Sequence, residues 1–155
     1  MSICHSRGSI LAFCCNWAAH RCLMALSRKG GSIPREITPL SVMCSGRIDC
    51  AMVLGAFERG AEGVMVIGCR DDDCRYGVGP ARLAPRLTTI RGLMALLGLE
   101  DERFERLALD ADQSDRLQER LGAFARRIER LGPSPFADGD RGASIGDHSA
   151  EARPS

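Results

Sequence analysis

Short apolar runs alternate with amphipathic stretches along this chain, and three of the runs end in cysteine. Ser9 to Phe13 is closed by Cys14 and Cys15, Ile37 to Met43 by Cys44, and Val64 to Gly68 by Cys69, with Cys74 following in the next loop. Such alternation is the signature of βαβ units and a parallel sheet. Parallel strands finish on one edge, where open α/β sheets hold their ligands, so the thiols are expected to converge there. The fold class expected is α/β: a small doubly wound, flavodoxin-like parallel sheet of about four strands, with helices on both faces.

The pattern places a first strand over Ser9 to Cys14 and a helix from about Trp17 to Arg28, stopped at Lys29-Gly30-Gly31-Ser32. A second strand covers Ile37 to Met43 and leads through Cys44-Ser45-Gly46-Arg47 to a helix that Asp49 caps and that ends near Arg59. Cys50, Val53, Leu54 and Phe57 share one face of that helix. Gly63 to Gly68 reads as a strand buried on both faces, because it is apolar without alternation.

The loop Cys69 to Gly79 precedes a helix to about Leu97, with Leu83, Leu87, Ile90, Met94 and Leu97 at helical spacing. Pro85 is expected to kink its first turns or to move its start to about Arg86. Phe104 to Leu109 completes the alternation as a fourth strand. Ser114 to Leu131 is an amphipathic helix with Leu117, Leu121, Phe124, Ala125 and Ile128 on its apolar side. Residues 1–8 are expected to be a flexible N-terminus, residues 9–131 the folded domain, and residues 132–155 a disordered tail rich in Pro, Gly, Ser, Asp and Arg.

At 155 residues and 45% hydrophobic composition the chain has material for one core. A net charge of +1, from 21 basic and 20 acidic residues, supplies no field to attract nucleic acid. No run reaches the ~18 apolar residues of a membrane span. Ile10 to Ala19 lacks the flanks of a secretory signal, so the expected location is the cytoplasm. Eight cysteines in a reducing compartment point to metal ligation or redox chemistry and away from structural disulfides.

Cys15, Cys44, Cys69 and Cys74 are the candidate ligands, since core packing does not account for cysteines at successive strand ends. Cys22 and Cys50, on apolar helix faces, read as small core residues. Four thiolates at one spot suit iron with sulfide, or zinc. The Cys69-x4-Cys74 spacing is wide for a zinc knuckle and Cys44 is single, yet a zinc-stabilised chain stays open as an alternative. There is no Cys-x-x-Cys for thiol-disulfide exchange, no histidine-based triad and no dinucleotide fingerprint at Gly77-x-Gly79. Asp71-Asp72-Asp73 reads as a solvated acidic loop.

Taken together, Cys15-Asn16-Trp17, Met43-Cys44-Ser45-Gly46-Arg47, Gly60-Ala61-Glu62-Gly63-Val64, and Gly68-Cys69 through Asp73-Cys74-Arg75-Tyr76 resemble the delta subunit of methyl-viologen-reducing hydrogenase, in order, from about Ile10 to Leu131. The resemblance implies a small electron-transfer subunit with a [2Fe-2S] cluster. It implies relay from a hydrogenase or formate dehydrogenase to the flavin subunit of a heterodisulfide reductase-type complex. Similar modules accompany other oxidoreductases, so a relay is implied more firmly than a donor.

The family commonly reads Cys-Asn-Trp-Cys at the first strand end, whereas here the second cysteine is Ala18. Cys15, Cys44, Cys69 and Cys74 match the remaining positions, the number a [2Fe-2S] centre needs, with Cys14 and Cys22 in reserve. The residues expected around them are Trp17, Gly46, Arg47, Gly68, Arg75 and Tyr76. A cluster-free protein-interaction subunit is the other alternative.

Overall fold

A computed structural model describes residues 9–137. Within them the chain alternates β1 (Ile10–Cys15), α1 (Ala18–Arg28), β2 (Ile37–Val42), α2 (Cys50–Glu58), β3 (Gly63–Cys69), α3 (Gly79–Leu96), β4 (Phe104–Leu109) and α4 (Ser114–Leu131). A single 3-10 turn, Ser45–Arg47, joins β2 to α2, and another, Asp101–Arg103, precedes β4. The four strands form one parallel sheet in the order β2-β1-β3-β4. That is the doubly wound, flavodoxin-like arrangement expected from the alternation.

Burial follows from position in the sheet. The central β3 is buried at every residue, as its unbroken apolar run requires. β2 is an edge strand, with Thr38, Pro39, Leu40 and Ser41 exposed; proline is tolerated there because an edge strand has N–H groups to spare. One core packs Ile10, Ala12, Met65, Ile67 and Leu107 against Leu117, Leu121, Phe124 and Ile128 of α4 and against α1. The other packs Phe13, Val64, Val66 and Phe104 against α2 and α3.

Local signals set most helix ends. Asp49 caps α2, its carboxylate accepting the Met52 N–H at 2.9 Å. In α3 one of the two expected outcomes does not occur: Pro85 does not move the start of the helix to Arg86. The helix starts at Gly79, with Pro80 in the first turn where no N–H is needed. Pro85 and Ala81, whose carbonyl would have received its N–H, are both exposed, so water meets the unused acceptor. Leu97 also departs from the expected stripe. The helix ends at Leu96, Gly98 turns the chain at φ +73°, and Leu99 fills the core while Leu97 is exposed.

Arg103 carries no mark in the sequence, yet it has no exposed surface. Its guanidinium donates to the carbonyls of Glu62 (3.1 Å), Gly132 (3.0 Å) and Pro133 (3.2 Å) and to the Glu100 carboxylate. The hydrogen bond from Arg103 holds the Glu100 carboxyl below its usual range. This one side chain fastens the end of α4 to the start of β3. Residues 132–137 are therefore packed, with Ser134 buried and Phe136 against the second core. The rest of the expected tail, 138–155, lies outside the described residues, as do residues 1–8 with Cys4.

Replacing Arg103 with Met leaves three carbonyls and a carboxylate without their donor. Urea unfolding is expected to show a loss of about 3 kcal/mol, set by the unpaired buried groups. A loss under ~1 kcal/mol would remove Arg103 from this role.

Candidate metal centre

The thiols at the carboxyl edge come together as two pairs. β1 and β3 are neighbours with Cys14 opposite Ile67, so Cys15 falls level with Gly68 and Cys69 lies one residue further along the same edge. Cys15 Sγ and Cys69 Sγ lie 3.8 Å apart. Two thiolates on one tetrahedral ion, at a metal–sulfur distance of about 2.3 Å, sit about 3.8 Å apart.

The second pair is gathered by the start of α3. A Cβ added to Gly79 would lie 2.5 Å from Cys44 Sγ and 3.0 Å from Cys74 Sγ, so only glycine lets the helix approach both. Sequence reasoning misses Gly79 because its meaning is tertiary. Its only local signal is a Gly-Pro pair opening a helix.

Each pair meets a helix amino-terminus. The Ala18 N–H, at the start of α1, acts to lower the Cys69 thiol, and the Gly79 N–H, at the start of α3, acts to lower that of Cys74. Such N–H groups and the positive end of the helix dipole favour thiolate. The Gly46 N–H adds a bond to Cys44 Sγ at 3.4 Å.

Burial works against this. It pushes the Cys69 thiol up to about 11, helped by the Cys15 charge. It also raises Cys44, beyond what the Gly46 N–H offsets. Cys74 is the exception. Although burial raises it, the N–H groups of Tyr76, Gly79 and Gly77 and the Cys44 thiol hold it below its ordinary value. The pairs also sense each other, Cys15 raising Cys44 and Cys74 raising Cys69.

Cys14 and Cys22 are engaged elsewhere. Cys14 donates to the Ala12 carbonyl at 3.4 Å, and burial, with the neighbouring Cys15, pushes its thiol up to about 12. Cys22, fully buried, donates to the Asp110 carbonyl at 3.2 Å. The described cysteines are all free thiols.

The residues expected around the thiols fall into two kinds. Gly46 and Gly68 allow backbones to close up: a Cβ on Gly46 would meet the Gly79 backbone at 2.9 Å, and one on Gly68 would meet Ser45 at 2.8 Å. They lock the Cys44 turn between β3 and α3. Trp17, Arg75 and Tyr76 form an aromatic wall, with the Arg75 guanidinium 4.6 Å from the Trp17 ring and Tyr76 edge-on to it. Arg47 is exposed.

A cleft of 490 Å³ runs between Trp17, Arg21, Asp72 and Arg75, with Cys69 and Cys74 in its wall. A larger cleft of 590 Å³ lies between Glu36, Glu62 and Ile128, at the amino ends of the strands, and no cysteine lines it.

Among the described residues no three His, Cys, Asp or Glu side chains are drawn around one point. The donors nevertheless fit an iron–sulfur group in two respects. They are all sulfur, arranged two and two. The buried Trp17 Nε1, which lines the same cleft as Cys69 and Cys74, is a donor with no partner among the described residues. No helix among the described residues is long and apolar enough to cross a membrane.

Comparison with known proteins gives the chain a family. The family model described as methyl-viologen-reducing hydrogenase, delta subunit, matches residues 10–132. A ferredoxin:CoB-CoM heterodisulfide reductase subunit of Methanosarcina mazei is 32% identical over 124 residues, which cover 80% of this chain but 16% of that protein. The iron-sulfur subunit of the vhc F420-non-reducing hydrogenase of Methanococcus voltae is also 32% identical over 124 residues, covering 80% of this chain and 86% of its own. Its counterpart in the vhu hydrogenase of Methanocaldococcus jannaschii is 27% identical over 127 residues, covering 82% and 95%.

The thiol environments predict an order of reaction in the metal-free chain. Iodoacetamide at pH 8 is expected to modify Cys74 about tenfold faster than Cys44, with Cys69 and Cys14 slower still, because thiolate is the nucleophile. Raising the pH should bring in Cys44 before Cys69. Peptide mass mapping against time checks the order; labelling of Cys69 before Cys74 would contradict the environments described.

Proposed function

Since the chain belongs to the methyl-viologen-reducing hydrogenase delta-subunit family, we propose that it is an electron-transfer subunit whose Cys15, Cys44, Cys69 and Cys74 hold one [2Fe-2S] cluster. The observation that carries the proposal is the pairing of thiols, Cys15 with Cys69 at 3.8 Å and Cys44 with Cys74 about Gly79. A two-iron cluster takes two cysteines on each iron, whereas a single zinc needs all four around one point. The chemistry such a cluster supplies is one-electron transfer.

The protein's own part is to hold and tune. N–H groups at the starts of α1 and α3 face the two pairs and offset thiolate charge. Trp17, Arg75 and Tyr76 shield one flank, and the Trp17 N–H is a donor in reserve for a sulfur acceptor. The site lies at the sheet edge, next to an open cleft, which suits close approach of another protein's redox centre.

For partners, the relatives are subunits of hydrogenases and of heterodisulfide reductase, free-standing in the first case and part of a much longer chain in the second. This supports docking on a heterodisulfide reductase-like flavoprotein subunit, with a hydrogenase or formate dehydrogenase as donor, in the cytoplasm.

Anaerobic reconstitution tests the reading. The chain is expected to turn brown, to hold about two irons and two sulfides, and to give an EPR signal on reduction. Cys69→Ser is expected to abolish that signal, while Cys22→Ser and Cys4→Ser keep it. Colourless protein that retains zinc would sink the proposal, and an unchanged signal in Cys69→Ser would sink the ligand set.

A further inference from the structure

We infer that Arg86 is the positioning residue of the Cys44 half of the thiol site, an inference that rests on the iron–sulfur reading for its spectroscopic consequence. The Arg86 guanidinium donates to the carbonyls of Gly46 (2.8 Å) and Ile48 (2.9 Å). These carbonyls flank the far side of the turn that begins at Cys44 and returns the Gly46 N–H to Cys44 Sγ. Fixing the carbonyls fixes the peptide planes that follow Gly46 and Ile48, and so tethers from its far side the Ser45–Gly46 peptide that carries that N–H.

The grip comes from one stripe of α3. Gly79, Leu83, Arg86 and Ile90 lie at helical spacing on the same face. Leu83 and Ile90 are fully buried and seat the helix in the core. Gly79 then touches Cys44 and Cys74 from one end of the stripe, and Arg86 holds the turn two helical turns away. No side chain separates helix from turn, since a Cβ on Gly46 would collide with the Gly79 backbone.

Packing against β3 and α3 seats the turn, but its other hydrogen bonds are few. Its 3-10 bonds, Arg47 N–H to the Cys44 carbonyl and Ile48 N–H to the Ser45 carbonyl, are internal to it. Ile48 has no exposed surface, so without Arg86 its carbonyl loses a charged donor in a place water reaches poorly. The turn is then expected to move, carrying Cys44 away from Cys74. Cys15 and Cys69, held by the β1–β3 pairing, stay in place.

The test compares reconstituted wild type with Arg86→Met, Arg86→Lys and, as a control on the exposed face of α3, Arg82→Met. Arg86→Met is expected to lose iron to a chelator about tenfold faster and to shift the g-values of the reduced cluster. Arg86→Lys is expected to fall between, since both carbonyls take their bonds from one guanidinium nitrogen, which a shorter, freely rotating ammonium replaces without the fixed plane. Arg82→Met should match wild type. Wild-type iron retention and g-values in both Arg86 variants would overturn the inference. If Arg86→Met fails to fold by circular dichroism, Arg86→Lys decides on the same measurements.

A metal-free measurement separates this inference from the reading beneath it. In the apo chain, Arg86 substitution is expected to speed alkylation of Cys44 about tenfold and to leave Cys69 unchanged. Equal rates at Cys44 overturn Arg86's role even if wild type binds a cluster. If wild type takes up no iron, the iron–sulfur reading fails, and the alkylation result still decides whether Arg86 holds the turn.

Discussion

The parallel pairing of β1 with β3 is the constraint on which the rest depends. It brings Cys15 and, one residue further along β3, Cys69 together at the carboxyl edge, and no loop has to find that geometry. The pairing is secured by burial, since β3 is enclosed on both faces by side chains that span the two cores. Sliding β3 by one residue would exchange the contents of those cores, so the register is held by far more than the thiols themselves. The site inherits the rigidity of the sheet on one side and, through α3, the rigidity of a helix on the other.

That division explains which features are legible in the residues alone. Strand ends, the Asp49 cap and the span of α4 are local, written in apolar runs and in one capping side chain, and the structure agrees with each to within a residue or so. The four thiols are legible because cysteine at successive strand ends has no simple packing reason. Gly79, Arg86 and Arg103 are not, because each takes its meaning from a distant backbone: Gly79 from the Cys44 turn, Arg86 from two carbonyls of that turn, Arg103 from the ends of β3 and α4. In a chain whose basic residues are nearly all arginine, no local signal marks the two that are buried or half-buried on carbonyls. Pro85 misleads for the opposite reason, since its local penalty is real but is relieved by an exposed position.

Electrostatics gives the pairs their purpose. Burial raises Cys44 and Cys69, so the metal-free edge tends to hold its protons, while N–H groups at two helix starts and one turn already point at sulfur. A site that both desolvates thiols and donates to thiolate is unsatisfied in the absence of a cation. Under the proposed iron–sulfur reading, metal uptake would exchange protons for positive charge and use the waiting donors, coupling occupancy to the stability of this edge. The unpartnered Trp17 N–H belongs to the same pattern.

Ala18 stands where the family pattern commonly has a cysteine. If that cysteine were an indispensable ligand, Cys14 or Cys22 would have to replace it. Both thiols are instead committed to carbonyls, of Ala12 and Asp110. Ala18 is itself buried, and its N–H, the first of α1, acts to lower the Cys69 thiol. The position thus serves the Cys15–Cys69 pair through its backbone, a role that any side chain able to pack there leaves intact. What the second pair receives from Gly79, the first receives from Ala18, and the symmetry of two pairs facing two helix starts is complete with the four thiols present. That symmetry supports a spare thiol, rather than a lost ligand, as the difference at residue 18.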